Sequence, residues 1–282
     1  MNEIENKGPK DVIDYWDKNP VHSIEFDLNT DLRGYCEYID ALRWSDNEKW
    51  ARDKFYEFKG EGELRILDAG CGIGVFSRFY ARKGPRFKVC AIDITPKAVE
   101  ITQKSFKIFG LEGEIRLGSV EELPYPDNYF DYIVSNGVIH HTLNTQRAVD
   151  EFYRVLKPGG LASVCIYYKN ILLRQPFWAL TKLLFPLIIK NKKGREKFFS
   201  ANTPEEFVRV YDGNDTPISK VYSRKQSDEL FRRFRHIAAE PHYFPMRFLR
   251  LFKVGGIIHR ILDRYCGVLI YYLLEKPKGG NL

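Results

Sequence analysis

The sequence predicts an α/β fold in which a mainly parallel, twisted sheet is covered by helices on both faces. Two observations carry this. A short apolar run at 64–69 ends in an acid and glycines and passes into a helix-like stretch at 75–83, which reads as strand, tight turn and helix. The same strand-then-helix unit then recurs through residue 167. Strands that alternate with helices pair in parallel, and ligands collect at their carboxyl ends.

The second unit has a strand at 87–93 and a helix opened by Pro96, whose fixed φ suits the first helical position, and ending near Gly110. Further strands fall at 114–117, 130–135 and 161–167, with a helix at about 145–156. Beyond 170 the alternation stops, and an aromatic, basic stretch reads as a cap. Within it Ser223-Arg-Lys-Gln226 has the spacing of a capping box, opening a helix whose Leu230, Phe231 and Phe234 share an apolar face. A last strand at 268–275 returns to the sheet. The chain thus divides into an N-terminal helical lid (1–60), a ligand-binding core (61–168), a cap insertion (169–265) and a final strand with its tail (266–282).

With 44% hydrophobic and 29% charged residues, the composition is that of a globular protein and excludes disordered and fibrous classes. Cys36, Cys71, Cys90, Cys165 and Cys266 are scattered, odd in number and without CxxC spacing, so neither a disulfide framework nor a structural zinc site is expected. The first ten residues are polar and acidic, unlike a secretory leader, and the longest apolar run, 267–274, falls far short of the ~20 residues of a membrane span. A cytoplasmic protein is expected. Much of the net charge of +7 lies in 190–197 and 224–250, outside the core, and alone it does not choose among nucleic acid, anionic lipid, a phosphorylated substrate and a solvated surface.

The sharpest local signal is Asp68-Ala-Gly-Cys-Gly-Ile-Gly74. Gly70 and Gly72 are followed by Val75 where a nicotinamide-binding GxGxxG has its third glycine, and the Lys-Ser/Thr pair of a P-loop is missing. Asp68 would repel phosphate and suits a cationic amino-acid ligand. In Leu67-Asp-Ala-Gly-Cys-Gly-Ile-Gly74, Ala91-Ile-Asp-Ile94, Glu121-Glu-Leu-Pro124 and Tyr153-Arg-Val-Leu-Lys-Pro-Gly-Gly160, the sequence resembles the Rossmann-like class I S-adenosylmethionine-dependent methyltransferases over residues 64–168. The resemblance implies S-adenosyl-L-methionine as cofactor, with S-adenosyl-L-homocysteine as product. Its amino-acid end falls to Asp68, Gly70, Cys71, Gly72 and Gly74. Its ribose hydroxyls fall to the two oxygens of Asp93, beside Ile94. Where the family offers the adenine amino group an acid, this chain has Ser119, a weaker acceptor, followed by Val120; Asn136 completes the expected cofactor set.

Methyl transfer needs alignment and a proton acceptor, a task an imidazole suits near neutral pH. Ser135-Asn-Gly-Val-Ile-His-His-Thr142 offers His140 and His141 just past the fourth strand. One is expected in the site and the other packing outward, with His141 favoured as base; the plainer alternative is that both fill the loop. Similarity to phosphoethanolamine methyltransferases, in which such a histidine pairs with an N-terminal tyrosine, points to Tyr15 or a neighbour. The segment 14–22 reads as a lid, or as a helix packed on the sheet edge through Val12, Tyr15 and Trp16. Arg33, Tyr35, Arg43 and Trp44 are further candidates to reach the substrate.

In the cap, 171–189 is strongly apolar and 190–195 basic, which fits either a wall for a lipid-like substrate with peripheral membrane contact through 171–195, or two core helices broken at Pro176 and Pro186. Asp212 and Asp215 lie in a turn without a clustered third ligand, so no metal is expected. The expected activity is methyl transfer to an oxygen, nitrogen or carbon atom of a small-molecule acceptor. The alternatives are an RNA or protein methyltransferase and a non-catalytic cofactor-binding partner. Ser135-Asn-Gly-Val138 stands where many nucleic-acid amino methyltransferases carry Asn-Pro-Pro-Tyr, so no nucleic-acid partner is expected.

Overall fold

Seven strands form one sheet in the computed structural model, which describes residues 7–19, 31–44, 49–188, 201–211, 216–243 and 256–279. β1 (Leu64–Ala69), β2 (Phe87–Asp93), β3 (Glu114–Leu117), β4 (Phe130–Asn136) and β5 (Leu156–Tyr167) are parallel, in the order β3-β2-β1-β4-β5. β6 (Arg235–His242) and β7 (Leu269–Glu275) extend the sheet antiparallel, β7 against β5 and β6 outside β7. The helices are α1 (Pro9–Lys18), α2 (Leu32–Arg43), α3 (Lys49–Ala51) continuing into a π-turn Arg52–Tyr56, α4 (Val75–Ala81), α5 (Pro96–Phe109), α6 (Thr145–Val155), α7 (Phe177–Ile188), α8 (Pro204–Tyr211), α9 (Arg224–Leu230) and α10 (Gly256–Cys266).

The central strands are apolar on both faces because both are covered. Leu67, Ile133 and Ile166 enter one core with Ala148, Phe152 and Val155 of α6, while their neighbours Ile66, Val134 and Cys165 enter the other with Phe76 and Tyr80 of α4. Each such side chain contributes about 1.5–3 kcal/mol on full burial. The strand order reverses between β1 and β4, which opens a crevice at their carboxyl ends.

Several expectations shift. β5 begins at Leu156, and α4 and α6 end at Ala81 and Val155. The segment 235–242, assigned from sequence to the cap, is instead the edge strand β6; its half-exposed residues and Pro241 hide a strand pattern, as an edge allows. The capping box forms at Ser223 and Gln226, but α9 stops at Leu230, and Phe231 and Phe234 are buried just beyond it. α7 starts after Pro176 as expected yet runs through Pro186 to Ile188, so the expected break there does not occur. The basic run 190–195, Asp212 and Asp215 lie outside the described residues. Among the described residues no helix is long and apolar enough to cross a membrane.

Candidate active site

The glycine loop is pinned from several sides. The Gly70 and Cys71 amides donate to the Ile92 carbonyl at 2.8 and 3.0 Å, and Thr102 Oγ1 donates to the Gly72 carbonyl at 2.9 Å. Gly70 has φ +83°, and a Cβ there would meet Val138 Cγ2 at 2.4 Å. Gly72 has φ +52°, and a Cβ there would project into space empty to 4 Å, the cradle a ligand would fill.

The two loop acids differ. Asp68 is 2% exposed, and its Oδ2 accepts both the Ser77 amide at 2.9 Å and the Ser77 hydroxyl at 2.5 Å, tying β1 to the first turn of α4. Burial pushes its carboxyl up to about 7. Asp93 is half-buried; Oδ2 accepts the Gly72 amide at 2.8 Å, and Oδ1 accepts the Thr95 amide and hydroxyl at 3.0 and 2.9 Å. Burial raises its carboxyl too. Oδ2 keeps one lone pair for a hydroxyl, and Oδ1 gains one if the Thr95 hydroxyl turns away. A cofactor with a cationic amino acid at one end and a ribose diol at the other fits this cradle.

The Gly118 amide donates to the Asp93 carbonyl at 2.8 Å, bringing Ser119 beside the second strand. Ser119 Oγ already accepts the Glu121 amide at 3.1 Å; Val120 is buried and Ile94 half-buried. Asn136 Oδ1 accepts the Tyr56 hydroxyl at 2.7 Å, and Arg43 Nη2 reaches that hydroxyl at 3.4 Å.

Past β4, a 3₁₀ turn Ile139–His141 carries both histidines. The expectation that one packs outward is corrected: both rings are buried, with centroids 4.2 Å apart. His140 lies against Tyr167 at 4.1 Å, its Nδ1 has no hydrogen-bond partner, and burial with the adjacent His141 holds it well below the usual histidine range. His141 Nδ1 lies 2.7 Å from the Ile218 carbonyl oxygen and 3.3 Å from Ser219 Oγ. A carbonyl only accepts, so Nδ1 carries the proton and Nε2 the lone pair. Across the ring, α1 brings Trp16 to 5.0 Å, and Tyr15 stands edge-on to Trp16 at the same distance.

The sequence does not announce the strap that fixes this turn, residues 216–222. The Lys220 amide donates to the His140 carbonyl at 3.0 Å, and Lys220 Nζ donates to the carbonyls of Thr142 and Leu143 at 2.9 and 2.8 Å. Also missed is Arg78. Fully buried, it pairs with Asp40 through both Nε and Nη2, at 3.0 and 2.6 Å, and donates through Nη1 to the Ile73 carbonyl at 2.5 Å. Helix α2 is thereby bolted to the glycine loop. Among the described residues no cluster of three or more His, Cys, Asp or Glu is placed to hold a metal.

This crevice, with a glycine cradle between two acids at the switch point of a parallel sheet, defines a Rossmann-like nucleoside-binding enzyme. Comparison with known proteins narrows the class. A family model described as a methyltransferase domain matches residues 67–164. A demethylmenaquinone methyltransferase of Symbiobacterium thermophilum is 31% identical over 208 residues, 70% of this chain and 76% of that protein. The demethylmenaquinone methyltransferase of Geobacillus kaustophilus is 25% identical over 64% of this chain and 78% of its own. Among solved structures, the cyclase SpnF superposes with a TM-score of 0.56 at 19% identity, covering 86% of this chain and 82% of that one. An S-adenosylmethionine-dependent methyltransferase from Aquifex aeolicus gives 0.51 at 18%, covering 89% and 100%. The chain belongs to the class I S-adenosylmethionine-dependent methyltransferases, of the small-molecule type, and S-adenosylmethionine is its cofactor.

Proposed function

We propose that the enzyme methylates a nucleophilic carbon or oxygen of a small, apolar aromatic metabolite of the hydroquinone class, with His141 as general base. The tautomer of His141, fixed by the Ile218 carbonyl, carries this reading, because it leaves Nε2 as the proton acceptor. S-adenosylmethionine supplies an electrophilic methyl group on a cationic sulfur. Asp68 and the glycine loop hold its amino-acid end, and Asp93 the ribose hydroxyls. With the methyl group so supplied, His141 would take up the proton that the acceptor gives up on methylation. The Trp16 and Tyr167 rings meet the imidazole in T-shaped contacts, an aromatic lining that suits a flat apolar acceptor, as do the demethylmenaquinone methyltransferases among the relatives. Turnover on a panel of hydroquinones, phenols and amines tests the acceptor class; activity confined to amines or to RNA would overturn it.

A further inference from the structure

The segment after β5 turns an apolar, cationic surface outward. α7 buries Trp178 but leaves Phe177, Leu180 and Leu183 exposed, Leu183 by 69%. α10 leaves Ile258, Ile261 and Tyr265 more than half exposed. Spacings of three and four residues put each trio on one helix face. The 3₁₀ turn Ile171–Leu173, with Ile171 exposed, joins the two helices. Thr181 Oγ1 donates to the Leu172 carbonyl at 2.9 Å, and the Asn170 amide donates to the carbonyls of Cys266 and Gly267 at 3.0 and 3.1 Å. Large apolar side chains exposed singly are ordinary; seven on adjoining elements mark an interaction surface.

Charge selects the occupant. Arg174, Lys182, Arg260 and Arg264 are exposed on these elements or the residue that follows the turn, residues 171–188 contain no acid, and the one acid of α10, Asp263, is buried beside His242. Apolar anchors among cations with no exposed acid match the headgroup and acyl boundary of an anionic bilayer. We propose that the face formed by 171–183 and α10 docks the enzyme peripherally on an anionic lipid surface, whatever the acceptor is.

Co-sedimentation of the full chain with phosphatidylcholine vesicles, with and without phosphatidylglycerol, tests this. Binding to the mixed vesicles should exceed binding to phosphatidylcholine by about tenfold or more and fall with added salt. Leu183→Glu with Ile261→Glu should abolish it, and Arg260→Glu with Arg264→Glu should weaken it, with melting temperature and S-adenosylmethionine affinity unchanged. Equal binding to both vesicle types would overturn the proposal. So would vesicle binding that survives both pairs of substitutions, or a face that proves to bind polynucleotide or a second copy of the chain in place of lipid.

Discussion

His141 Nδ1 and the Ile218 carbonyl oxygen stand 2.7 Å apart, joining the turn after β4 to a strap 77 residues further along the chain. That bond orients the imidazole and sets its tautomer, so His141 is expected to work in the chemical step and not in cofactor binding. His141→Ala should lower kcat by about 10²–10⁴-fold and leave S-adenosylmethionine affinity unchanged. Single-turnover kinetics with calorimetry check this, and unchanged turnover across pH would remove His141 from the role. His140→Ala should reduce kcat far less.

On the proposed role of Asp68 at the cofactor's amino-acid end, cofactor binding depends on pH. Its carboxyl, raised by burial to about 7, is neutral below that pH and offers no charge to a cationic amino group. Affinity for S-adenosylmethionine should therefore rise as pH climbs through about 7 and level off above it. In the free protein the folded value lies above the ordinary 3.8, so the native state holds the extra proton and this group's contribution to stability declines over that interval as pH rises. Titration calorimetry across pH checks the first sign and denaturation across pH the second, with Asp68→Asn flattening both profiles.

Asp40 and Arg78 form a buried, bidentate pair with side chains 8% and 0% exposed. Asp40→Asn strips the charge from the partner of a guanidinium that cannot deprotonate, and should cost about 3–5 kcal/mol of stability. Urea denaturation measures it. Because Arg78 also holds the Ile73 carbonyl, cofactor affinity should fall with it.

Much of the fold was legible in the sequence because its strands carry local marks. The apolar run ending at Ala69, the glycines and Pro96 are short-range signals, and β1, β2 and β3 fall at the expected residues. β6 was not legible, since a half-exposed edge strand carrying Pro241 has neither an apolar run nor clean alternation. In the site, Asp68, the glycines, Asp93 and the histidines lie in or beside strand ends and could be found one segment at a time. Arg78 reads as a surface arginine until Asp40, 38 residues earlier, is folded against it. Both histidines are buried because Trp16 and the 216–222 strap close over them, and no local pattern encodes contacts so distant in sequence.

Asp93 carries the central claim most directly. Calorimetric titration of the folded protein with S-adenosylmethionine and S-adenosylhomocysteine should give saturable binding. Asp93→Ala should weaken it by about 100-fold or more, because two ribose hydroxyls lose a charged acceptor. Failure of the folded wild-type chain to bind either compound, or equal binding by the Asp93→Ala variant, would contradict the account.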